Sequence, residues 1–446
     1  MTLTGKELAN VVKGPGEKTK KMLADARPYL IGALPMAPIV AEEAQGAVIK
    51  DVEGDLYIDL FAGVGVLSLG HRYPTVVEAV KNQADKIMCT MVNYCQYAPD
   101  LELAQKLNTV TPGGQEMRAV FSSSGSEAVE NAIKVAKSAT GRHGVIALTN
   151  AFHGRTLLTG ALTHKCAPQK NGYGPQPSEI YRLSDFYQYR YSMGMSREDY
   201  IAWLLEEAEF AFKNTIDTED VACFIAECVQ GEGGFLPQPA EYLQGIKKLC
   251  EQYGILYIAD EIQSGFCRTG KFFAIEHMGF NPDIMTIAKS MADGMPLAAT
   301  LIRSDLDKVK PGQLGGTYMG NAMSCAASCA AIDAFKGNDF CGRAQQIGAY
   351  IEKRVKGMMD KHAQIGDFRG LGAMCAMEIV EDPATKKPGN QLLGQIIKEC
   401  NKRGMLVLAC GMRGNNMRFL PPLVITDEQL AQAMDILEES CDVVLK

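Results

Sequence analysis

A lysine directly follows a run of apolar residues in the second half of the chain. The run Asp283-Ile-Met-Thr-Ile-Ala288, which precedes Lys289, is typical of a buried strand. Burying an ammonium group is costly unless the group is paired or neutralised, and a neutral, desolvated lysine is the nucleophile that forms an imine with an aldehyde. Lys289 is therefore a candidate catalytic residue, although a lysine whose ammonium group reaches solvent would give the same pattern.

Two further stretches place an acid and an anion site at the ends of predicted strands. Asp260 ends the apolar run Ile255–Ala259, and open α/β sheets bind ligands at the carboxyl ends of their strands. A carboxylate at that place needs a cationic partner, which is either a protonated heterocycle nitrogen or an arginine. Ser124, Gly125 and Ser126 lie at a strand-to-helix turn, where free backbone amides and the helix dipole attract anions.

Together these features match the requirements of pyridoxal 5'-phosphate. The turn at Ser124 would bind the phosphate, Lys289 would bind the aldehyde and Asp260 would face the ring nitrogen. A negative Asp260 favours the protonated ring, because an opposite charge stabilises a charged group. The residues therefore predict a pyridoxal phosphate enzyme, although each feature alone has a structural explanation.

Short apolar runs alternate with amphipathic stretches from about residue 75 onward, which predicts an α/β domain with a mainly parallel sheet. Ser124 and Glu127 form a capping box for the first helix of this region, and Gly141 provides a left-handed stop. The predicted strands are Arg118–Phe121, Val145–Leu148, Cys223–Glu227, Ile255–Asp260, Ile284–Ala288 and Ala298–Ile302. The predicted helices between them include Ser126–Ser138 and Leu243–Gln252.

The two ends of the chain have a different pattern. Residues 1–45 suggest short helices and loops, and Asp51-Val-Glu-Gly54 predicts a turn between two short strands. Near the other end, Arg369–Ile379 predicts a strand, and Thr426-Asp-Glu-Gln429 is a capping box for a final helix. The predicted organisation is an N-terminal segment at 1–60 that packs with the small domain, a large cofactor-binding domain at 61–320 and a small α+β domain at 321–446.

Composition and charge exclude several classes of protein. With 47% hydrophobic and 22% charged residues, the 446-residue chain is typical of a globular protein. Its net charge of −7 is unfavourable for nucleic-acid binding. No stretch approaches the roughly 20 apolar residues of a membrane helix, and Met1–Leu23 lacks the apolar core of a secretory signal. We expect a cytoplasmic protein that binds neither nucleic acid nor membrane.

Two other patterns are predicted to carry no chemistry. The 14 cysteines contain no CxxC pair, which predicts free, mostly buried thiols and no metal site. The segment Gly265–Phe272 nearly matches a nucleotide-binding P-loop, but Phe272 stands where a serine or threonine would bind magnesium. We predict a Gly-rich surface loop at that segment.

Eight motifs follow one another along the chain, and their order is specific although each one alone is not. They are Asp55-Leu-Tyr-Ile-Asp59, Ser124-Gly-Ser-Glu-Ala-Val-Glu-Asn131, Phe152-His-Gly-Arg-Thr156, Glu227-Cys-Val-Gln-Gly-Glu-Gly-Gly-Phe235, Ala259-Asp-Glu-Ile-Gln263, the strand into Lys289, Gly316-Thr-Tyr-Met-Gly-Asn321, and Arg418 before Pro421-Pro-Leu423. With these motifs the chain resembles the class III (omega) aminotransferases from about Pro38 to Leu437, and most closely their 4-aminobutyrate branch. The resemblance implies pyridoxal phosphate fold type I, in which a large domain with a mainly parallel seven-stranded sheet is joined to a small α+β domain.

The resemblance also implies which residues contact the cofactor. Gly125 and Ser126 would hold the phosphate, Phe152 would stack on the ring and Gln263 would contact the ring hydroxyl. Thr317 would reach the phosphate bound by the other subunit, which implies a homodimer, or a tetramer, with active sites at the interface. Lys289 and Asp260 would be catalytic, with Lys289 as the general base. The full implied set of cofactor ligands is Ser124, Gly125, Ser126, Phe152, Asp260, Gln263, Lys289 and Thr317.

Substrate choice in the 4-aminobutyrate branch depends on two arginines. The resemblance implies that Arg155 binds one substrate carboxylate and that Arg418 binds the α-carboxylate of glutamate. Glu232 would pair with Arg418 while the ω-amino acid is bound and swing away for glutamate. Val64 would form a small aliphatic wall, and Asn93 falls near an amide of that branch.

The residues and the resemblance predict transfer of an amino group from 4-aminobutyrate, or a close homologue, to 2-oxoglutarate. Alternatives on the same fold are 5-aminovalerate, β-alanine, ornithine-type or taurine donors, pyruvate as the acceptor, and an epimerase, an aminomutase or a non-enzymatic binding protein. Two segments depart from the family pattern. Cys228 replaces a proline, and the Tyr- and Met-rich segment Tyr187–Asp217 is expected to line the entrance of the site.

Overall fold

The computed structural model describes residues 15–31, 37 and 39–445. Within these residues the α-helices are α1 (Glu17–Ala26), α2 (Ala62–Gly65), α3 (Pro74–Ala84), α4 (Ala98–Asn108), α5 (Gly125–Thr140), α6 (Leu157–Leu162), α7 (Gln188–Tyr191), α8 (Arg197–Asn214), α9 (Gly231–Gly234), α10 (Ala240–Tyr253), α11 (Ala322–Gly337), α12 (Phe340–Met359), α13 (Asn390–Lys402) and α14 (Asp427–Val444). The strands are β1 (Ala41–Gln45), β2 (Val48–Asp51), β3 (Leu56–Asp59), β4 (Met117–Ser122), β5 (Gly144–Leu148), β6 (Ile180–Leu183), β7 (Val221–Ala226), β8 (Val229–Gln230), β9 (Leu236–Pro237), β10 (Leu256–Asp260), β11 (Ile284–Ile287), β12 (Ala298–Arg303), β13 (Ile365–Leu371), β14 (Met374–Asp382), β15 (Lys387–Pro388), β16 (Met405–Leu406), β17 (Leu408–Cys410) and β18 (Asn416–Phe419).

A seven-stranded sheet in the order β4-β12-β11-β10-β7-β5-β6 forms the centre of the fold. All of its strands are parallel except β12, which pairs antiparallel with both β11 and β4. Every residue of β7 is buried, as expected for a strand covered by helices on both faces. The predicted α/β fold with a mainly parallel seven-stranded sheet is therefore confirmed.

The strand order brings the candidate site residues to one edge of this sheet. Asp260 is the last residue of β10 and pairs with Thr286 of β11, and Lys289 lies just beyond β11. Because β12 runs in the opposite direction, its first residue, Ala298, pairs with Ser122 at the end of β4. The N-terminus of α5, which follows β4, is thereby placed at the same edge.

Helix α5 begins and ends as its sequence predicts. The Glu127 amide donates to Ser124 Oγ at 3.3 Å, and the Ser124 amide donates to Glu127 Oε2 at 3.1 Å. At the other end, Gly141 has a φ of 72°, a conformation that glycine adopts without strain. Ala128 of α5 packs with Ala288 and Ala298, and these small side chains allow α5 to lie close to the strand that leads into Lys289.

The C-terminal part of the chain forms a second, antiparallel sheet in the order β13-β14-β18-β17, with β15 paired to β14. The single strand predicted at Arg369–Ile379 was wrong, because β13 and β14 form a hairpin that turns at Gly372, whose φ is 53°. A further sheet joins both ends of the chain, since β16 pairs parallel with β3. The domain boundaries at residues 60 and 320 remain predictions.

Three other predictions can be compared with the structure. The short helices and loops expected at residues 1–45 lie partly outside the described residues; helix α1 (Glu17–Ala26) agrees with them, whereas Ala41–Gln45 is a strand. Residues 265–270 of the near-match to a P-loop are buried rather than part of a surface loop, and only Lys271 of the segment is exposed. The fully buried Arg268 donates to the Pro421 carbonyl and to Ser68 Oγ. All 14 cysteines are free thiols and ten are buried, as predicted. No helix in the described part of the chain is long and apolar enough to span a membrane.

A close contact between α12 and the β13–β14 turn predicts a large effect of one methyl group. A Cβ atom added at Gly348 would lie 2.0 Å from the carbonyl oxygen of Gly372, whereas one added at Gly357 of the same helix would meet nothing within 4 Å. We expect Gly348→Ala to lower the free energy of unfolding by about 1–3 kcal/mol. Gly357→Ala should raise it by up to about 1 kcal/mol, because alanine favours helix. The urea midpoints of both variants test this, and equal midpoints would contradict the packing described here.

Candidate active site

A cavity of about 690 Å³ lies at the carboxyl ends of β10 and β11. Thr317 and Asn93 do not line it, and both line a separate cavity of about 820 Å³. Thr317 is exposed there. The structure therefore brings together all predicted site residues except these two. The predicted residues that line the cavity of about 690 Å³ are Val64, Ser124, Gly125, Ser126, Phe152, Arg155, Glu232, Asp260, Gln263, Lys289 and Arg418.

Lys289 enters this cavity from a strained position in the backbone. Its backbone φ is 50°, a value that residues other than glycine rarely adopt. Lys289 also begins a short 3-10 turn that ends at Met291. In the described part of the chain, its amine has no hydrogen bond and no ion pair. Burial lowers the pKa of Lys289 to about 8, although the nearby Glu232 carboxylate opposes this shift. The lysine is therefore partly neutral near neutral pH, as a nucleophile or a base must be.

The lowered pKa of Lys289 makes a prediction for the protein prepared without cofactor. The amine reacts with acetic anhydride only when it is neutral, so labelling of Lys289 should rise with pH and be half-complete near pH 8. Exposed lysines have a reference pKa of about 10.4 and should require a higher pH. Competitive labelling read out by mass spectrometry, with the exposed Lys248 as the internal control, measures both. Identical pH profiles for the two lysines would contradict the prediction.

Asp260 is buried and is held by two contacts. Its Oδ2 lies 2.7 Å from Nδ1 of His153, and its Oδ1 accepts from the Ile262 amide at 3.1 Å. The other ring nitrogen of His153, Nε2, is buried without a partner among the described residues. Sequence reasoning missed His153, although it follows Phe152 in one of the recognised motifs. Asp260 thus has a histidine neighbour within the chain, and its carboxylate remains part of the cavity wall.

The N-terminus of α5 presents free amides to the cavity. The Glu127 carboxylate accepts from the amides of Ser123 and Ser124. The amides of Gly125 and Ser126, by contrast, have no acceptor within the described residues. Free amides at a helix N-terminus form an anion site. The amide and the hydroxyl of Ser124 both take part in capping the helix, so Gly125 and Ser126 are better suited to hold an anion.

Phe152 and Gln263 both line the cavity. The Phe152 amide donates to Glu227 Oε1 at 2.9 Å, which fixes the backbone beside its ring. Gln263 donates through Nε2 to the Val64 carbonyl at 3.2 Å, while its buried Oε1 has no partner among the described residues. Val64 itself has a φ of 65°, which is strained for a β-branched residue.

Two arginines that could each bind a carboxylate line the same cavity. Arg418 of β18 is buried and donates through Nη1 to Oε1 of Glu232 at 2.5 Å. Burial alone would lower the pKa of Arg418, but the Glu232 carboxylate raises it above its usual value. Arg155 is exposed, lies with its guanidinium 5.7 Å from the centre of the Phe152 ring and has no carboxylate partner in the described part of the chain. Arg418 is therefore paired with the Glu232 carboxylate, whereas Arg155 is available for an anion.

Besides His153, two further charged residues of the cavity wall were not predicted as site residues. Glu227 is buried directly after β7, and its two oxygens accept from the Phe152 and Gly231 amides. Burial, with Asp260 nearby, raises the pKa of Glu227 to about 8. It begins a recognised motif, which was the available signal. Lys165, whose Nζ donates to the Gly411 carbonyl at 2.9 Å, gave no signal, because it lies in a loop after α6.

The prediction that Tyr187–Asp217 lines the entrance was wrong. None of its residues, all of which the structure describes, lines the cavity of about 690 Å³. Tyr187 instead packs against the second sheet, where its hydroxyl donates to the buried Glu378. The aromatic side chains at the start of this segment were predicted as an entrance because a sequence cannot tell a packed tyrosine from one that faces substrate.

Comparison with known proteins identifies the family of this chain. Residues 32–441 match the family described as Aminotransferase class-III. The chain is 42% identical to a probable 4-aminobutyrate aminotransferase of Bacillus subtilis over 90% of this chain and 92% of that protein. It is 40% identical to the 5-aminovalerate aminotransferase DavT of Pseudomonas aeruginosa, over 95% and 99% of the two chains. A PMP-bound aminotransferase structure from Vibrio fluvialis superposes with a TM-score of 0.88 at 26% identity, over 94% of this chain and 97% of that one. The protein therefore belongs to the class III aminotransferases, a family of pyridoxal phosphate-dependent enzymes.

Proposed function

We propose that this ω-aminotransferase moves the amino group of 4-aminobutyrate, or of a close homologue, to 2-oxoglutarate. The products would be a semialdehyde and glutamate, formed in two half-reactions that use the cavity in turn. The observation that carries this proposal is the Glu232–Arg418 pair beside the unpaired Arg155. An ω-amino acid has one carboxylate and glutamate has two, so a site for both needs one permanent and one optional arginine.

The two arginines divide the binding of carboxylates. Arg155 is free to take the carboxylate of the ω-amino acid as a planar, bidentate partner. With this donor bound, Glu232 neutralises Arg418, which would otherwise be a buried charge without a partner. With glutamate bound, the α-carboxylate replaces Glu232 on Arg418. Glu232 is 27% exposed, so it has room to leave the guanidinium.

The unpaired groups of the cavity fit pyridoxal phosphate. The free amides of Gly125 and Ser126 suit its phosphate, and the partnerless Oε1 of Gln263 suits its ring hydroxyl. Asp260, already held by His153, would face the ring nitrogen, and the ring of Phe152 would stack on the cofactor. When bound, pyridoxal phosphate supplies the aldehyde that accepts the amino group and the ring that takes up the electron pair of the substrate carbon.

The residues of the chain would then orient the substrate and move a proton. Lys289 Nζ, neutral at a pH above about 8, would take the proton from the amino-bearing carbon of the donor. Arg155 would hold the far end of the donor, so that this carbon lies within reach of the lysine. His153 would keep the Asp260 carboxylate in place through the 2.7 Å contact between Nδ1 and Oδ2.

We also propose a homodimer in which Thr317 serves the active site of the partner subunit. In support, Thr317 is exposed and lies away from the cavity of its own chain. Large apolar side chains are exposed nearby as well, since Tyr318 is the next residue and Tyr94 follows Asn93, whose side chain donates to the Leu314 carbonyl. Such a patch is expected to be covered by another protein surface. Analytical ultracentrifugation of the purified protein would test this, and a monomer would overturn it.

The relatives support two lengths of amino donor. The Bacillus and Pseudomonas relatives, of similar identity, are named for 4-aminobutyrate and 5-aminovalerate respectively, so 5-aminovalerate is the second candidate. Initial rates of glutamate formation from 2-oxoglutarate with each donor at equal concentration would rank them. We expect 4-aminobutyrate and 5-aminovalerate to exceed β-alanine and taurine. The proposal would be overturned if neither 4-aminobutyrate nor 5-aminovalerate led to glutamate.

A further inference from the structure

A buried cluster of charges lies outside the proposed active site, where β13, β14 and α7 meet. Its centre is Glu378 of β14, which is fully buried. The Glu378 carboxylate accepts from the Tyr187 hydroxyl, from Arg190, from Arg369 and from the Asn415 side chain. A buried carboxylate requires such partners, because an unpaired charge in the interior is strongly destabilising. This cluster explains why the segment that begins at Tyr187 packs on the second sheet.

One member of the cluster also reaches towards the active site. Arg369 Nε donates to the carbonyl oxygen of Gly234 at 2.9 Å, and Arg369 Nη2 donates to Asn416 Oδ1. Gly234 is the last residue of α9, the one-turn helix that carries Glu232. Asn416 lies two residues before Arg418 on β18, and hence on the same face of that strand. Arg369 therefore contacts both sides of the Glu232–Arg418 pair, through the backbone carbonyl of Gly234 and the side chain of Asn416.

The strand register places Arg369 and Arg418 in one row across the second sheet. Arg369 pairs with Ala376, and Ala376 pairs with Arg418. Residues paired across neighbouring strands point to the same face of a sheet, so the side chains of Arg369 and Arg418 share one face with the small Ala376 between them. Arg369 is absent from the wall of the cavity of about 690 Å³, so it does not itself touch the proposed substrates.

Helix α9 depends on such outside contacts for its position. Three of its four residues are glycines, which contribute little rigidity of their own. The turn is held at its start by Glu227 Oε2, which accepts from the Gly231 amide, and in its middle by the Gly411 amide, which donates to the Glu232 carbonyl. Arg369 holds its end. Loss of this third contact should loosen the backbone that directs Glu232 towards Arg418.

We propose that Arg369 is a positioning residue that holds α9 against the second sheet and thereby keeps Glu232 on Arg418 while an ω-amino acid is bound. The role rests on the proposed function, since it acts through the Glu232–Arg418 pair. Arg418 itself lies on a strand that is paired on both sides, so its backbone is fixed without Arg369. We call the contacts of Arg369 with Gly234 and Asn416 the clamp. Weakening the clamp should therefore release Glu232 more than it moves Arg418.

The test measures both half-reactions of the cofactor-loaded protein by stopped-flow absorbance. Arg369→Lys keeps the charge beside Glu378 but cannot make the contacts to Gly234 and Asn416 together. We expect it to raise the ratio of kcat/KM for glutamate to kcat/KM for 4-aminobutyrate by about ten-fold, which corresponds to one charge-assisted hydrogen bond. Arg190→Lys is the matched control, because it alters the same cluster without contacting α9, and it should leave the ratio unchanged.

A double variant separates positioning from a general loss of structure. Glu232→Gln alone should raise the ratio, and Arg369→Lys added to Glu232→Gln should raise it no further, because both act on the same contact. An unchanged ratio in Glu232→Gln would overturn the proposed arginine switch and the clamp with it. A changed ratio in Glu232→Gln with an unchanged ratio in Arg369→Lys, or a further rise in the double variant, would overturn the clamp alone.

A milder variant keeps the test available if Arg369→Lys does not fold. Tyr187→Phe removes the hydroxyl that lies 3.2 Å from Arg369 Nη2 and leaves the guanidinium in place. We expect the ratio to move in the same direction by a smaller factor. A ratio that stays at the wild-type value in every folded variant of Arg369 and Tyr187 would overturn the inference.

Discussion

Lys289→Ala is expected to abolish turnover while the protein still binds its cofactor without a covalent bond. The variant removes the amine that would take the proton from the substrate carbon, and proton transfer by a positioned base contributes about 10²–10⁴-fold. It also removes the nucleophile, whose lowered pKa keeps it partly neutral. Steady-state kcat and the absorption spectrum of the protein after gel filtration measure both effects.

A control variant shows whether the loss is specific to Lys289. Lys248 is an exposed lysine on α10, and Lys248→Ala should retain wild-type turnover. The phosphate and ring contacts proposed for Gly125, Ser126 and Asp260 do not involve the lysine, so the Lys289→Ala protein should remain coloured by bound cofactor. Turnover of that variant close to the wild-type value would contradict the assignment of Lys289 as the base.

Arg418→Ala should damage the half-reaction with glutamate far more than that with 4-aminobutyrate. Glutamate loses the ligand of its α-carboxylate, and a bond between charged groups contributes about 1.5–3 kcal/mol, so kcat/KM for glutamate should fall by about 10- to 100-fold. The ω-amino acid has no second carboxylate and uses Arg418 only as the partner of Glu232. Separate single-turnover rates for the two substrates test this difference.

The matched control for this variant is Arg413→Ala. Arg413 is exposed, lies five residues earlier in the chain and contacts the Tyr191 hydroxyl rather than the cavity. It should change neither half-reaction. Equal losses for glutamate and 4-aminobutyrate in Arg418→Ala would show that Arg418 supports the fold of the site and does not select between substrates.

The central strands and the position of the site could be predicted from the sequence because buried parallel strands are continuous apolar runs. Ile284–Ile287 and Leu256–Asp260 are of this kind, and their carboxyl ends place Lys289 and Asp260 together. The seventh strand, Ile180–Leu183, has no such run, since it lies at the edge of the sheet and is only partly buried. Its existence followed from the family resemblance alone.

Contacts between distant segments were the part that the sequence did not reveal. His153 and Glu227 stand in recognised motifs, yet their contacts with Asp260 and Phe152 join residues 107 and 75 positions apart. The cluster around Glu378 likewise combines α7, β13 and β14, and nothing in the local pattern marks Arg369 as a neighbour of Gly234. Periodicity describes which face of an element is buried, but it does not describe which charged side chains meet there.

The visible spectrum of the cofactor-loaded protein tests the central claim most directly. 4-Aminobutyrate is added alone, and 2-oxoglutarate is added afterwards. The account predicts that 4-aminobutyrate bleaches the band of the lysine-bound cofactor as the amino group is transferred, and that 2-oxoglutarate restores the band as glutamate is formed. Bleaching by glutamate but not by 4-aminobutyrate would contradict the proposed donor. A band that responds to neither amino compound would contradict amino transfer through this site.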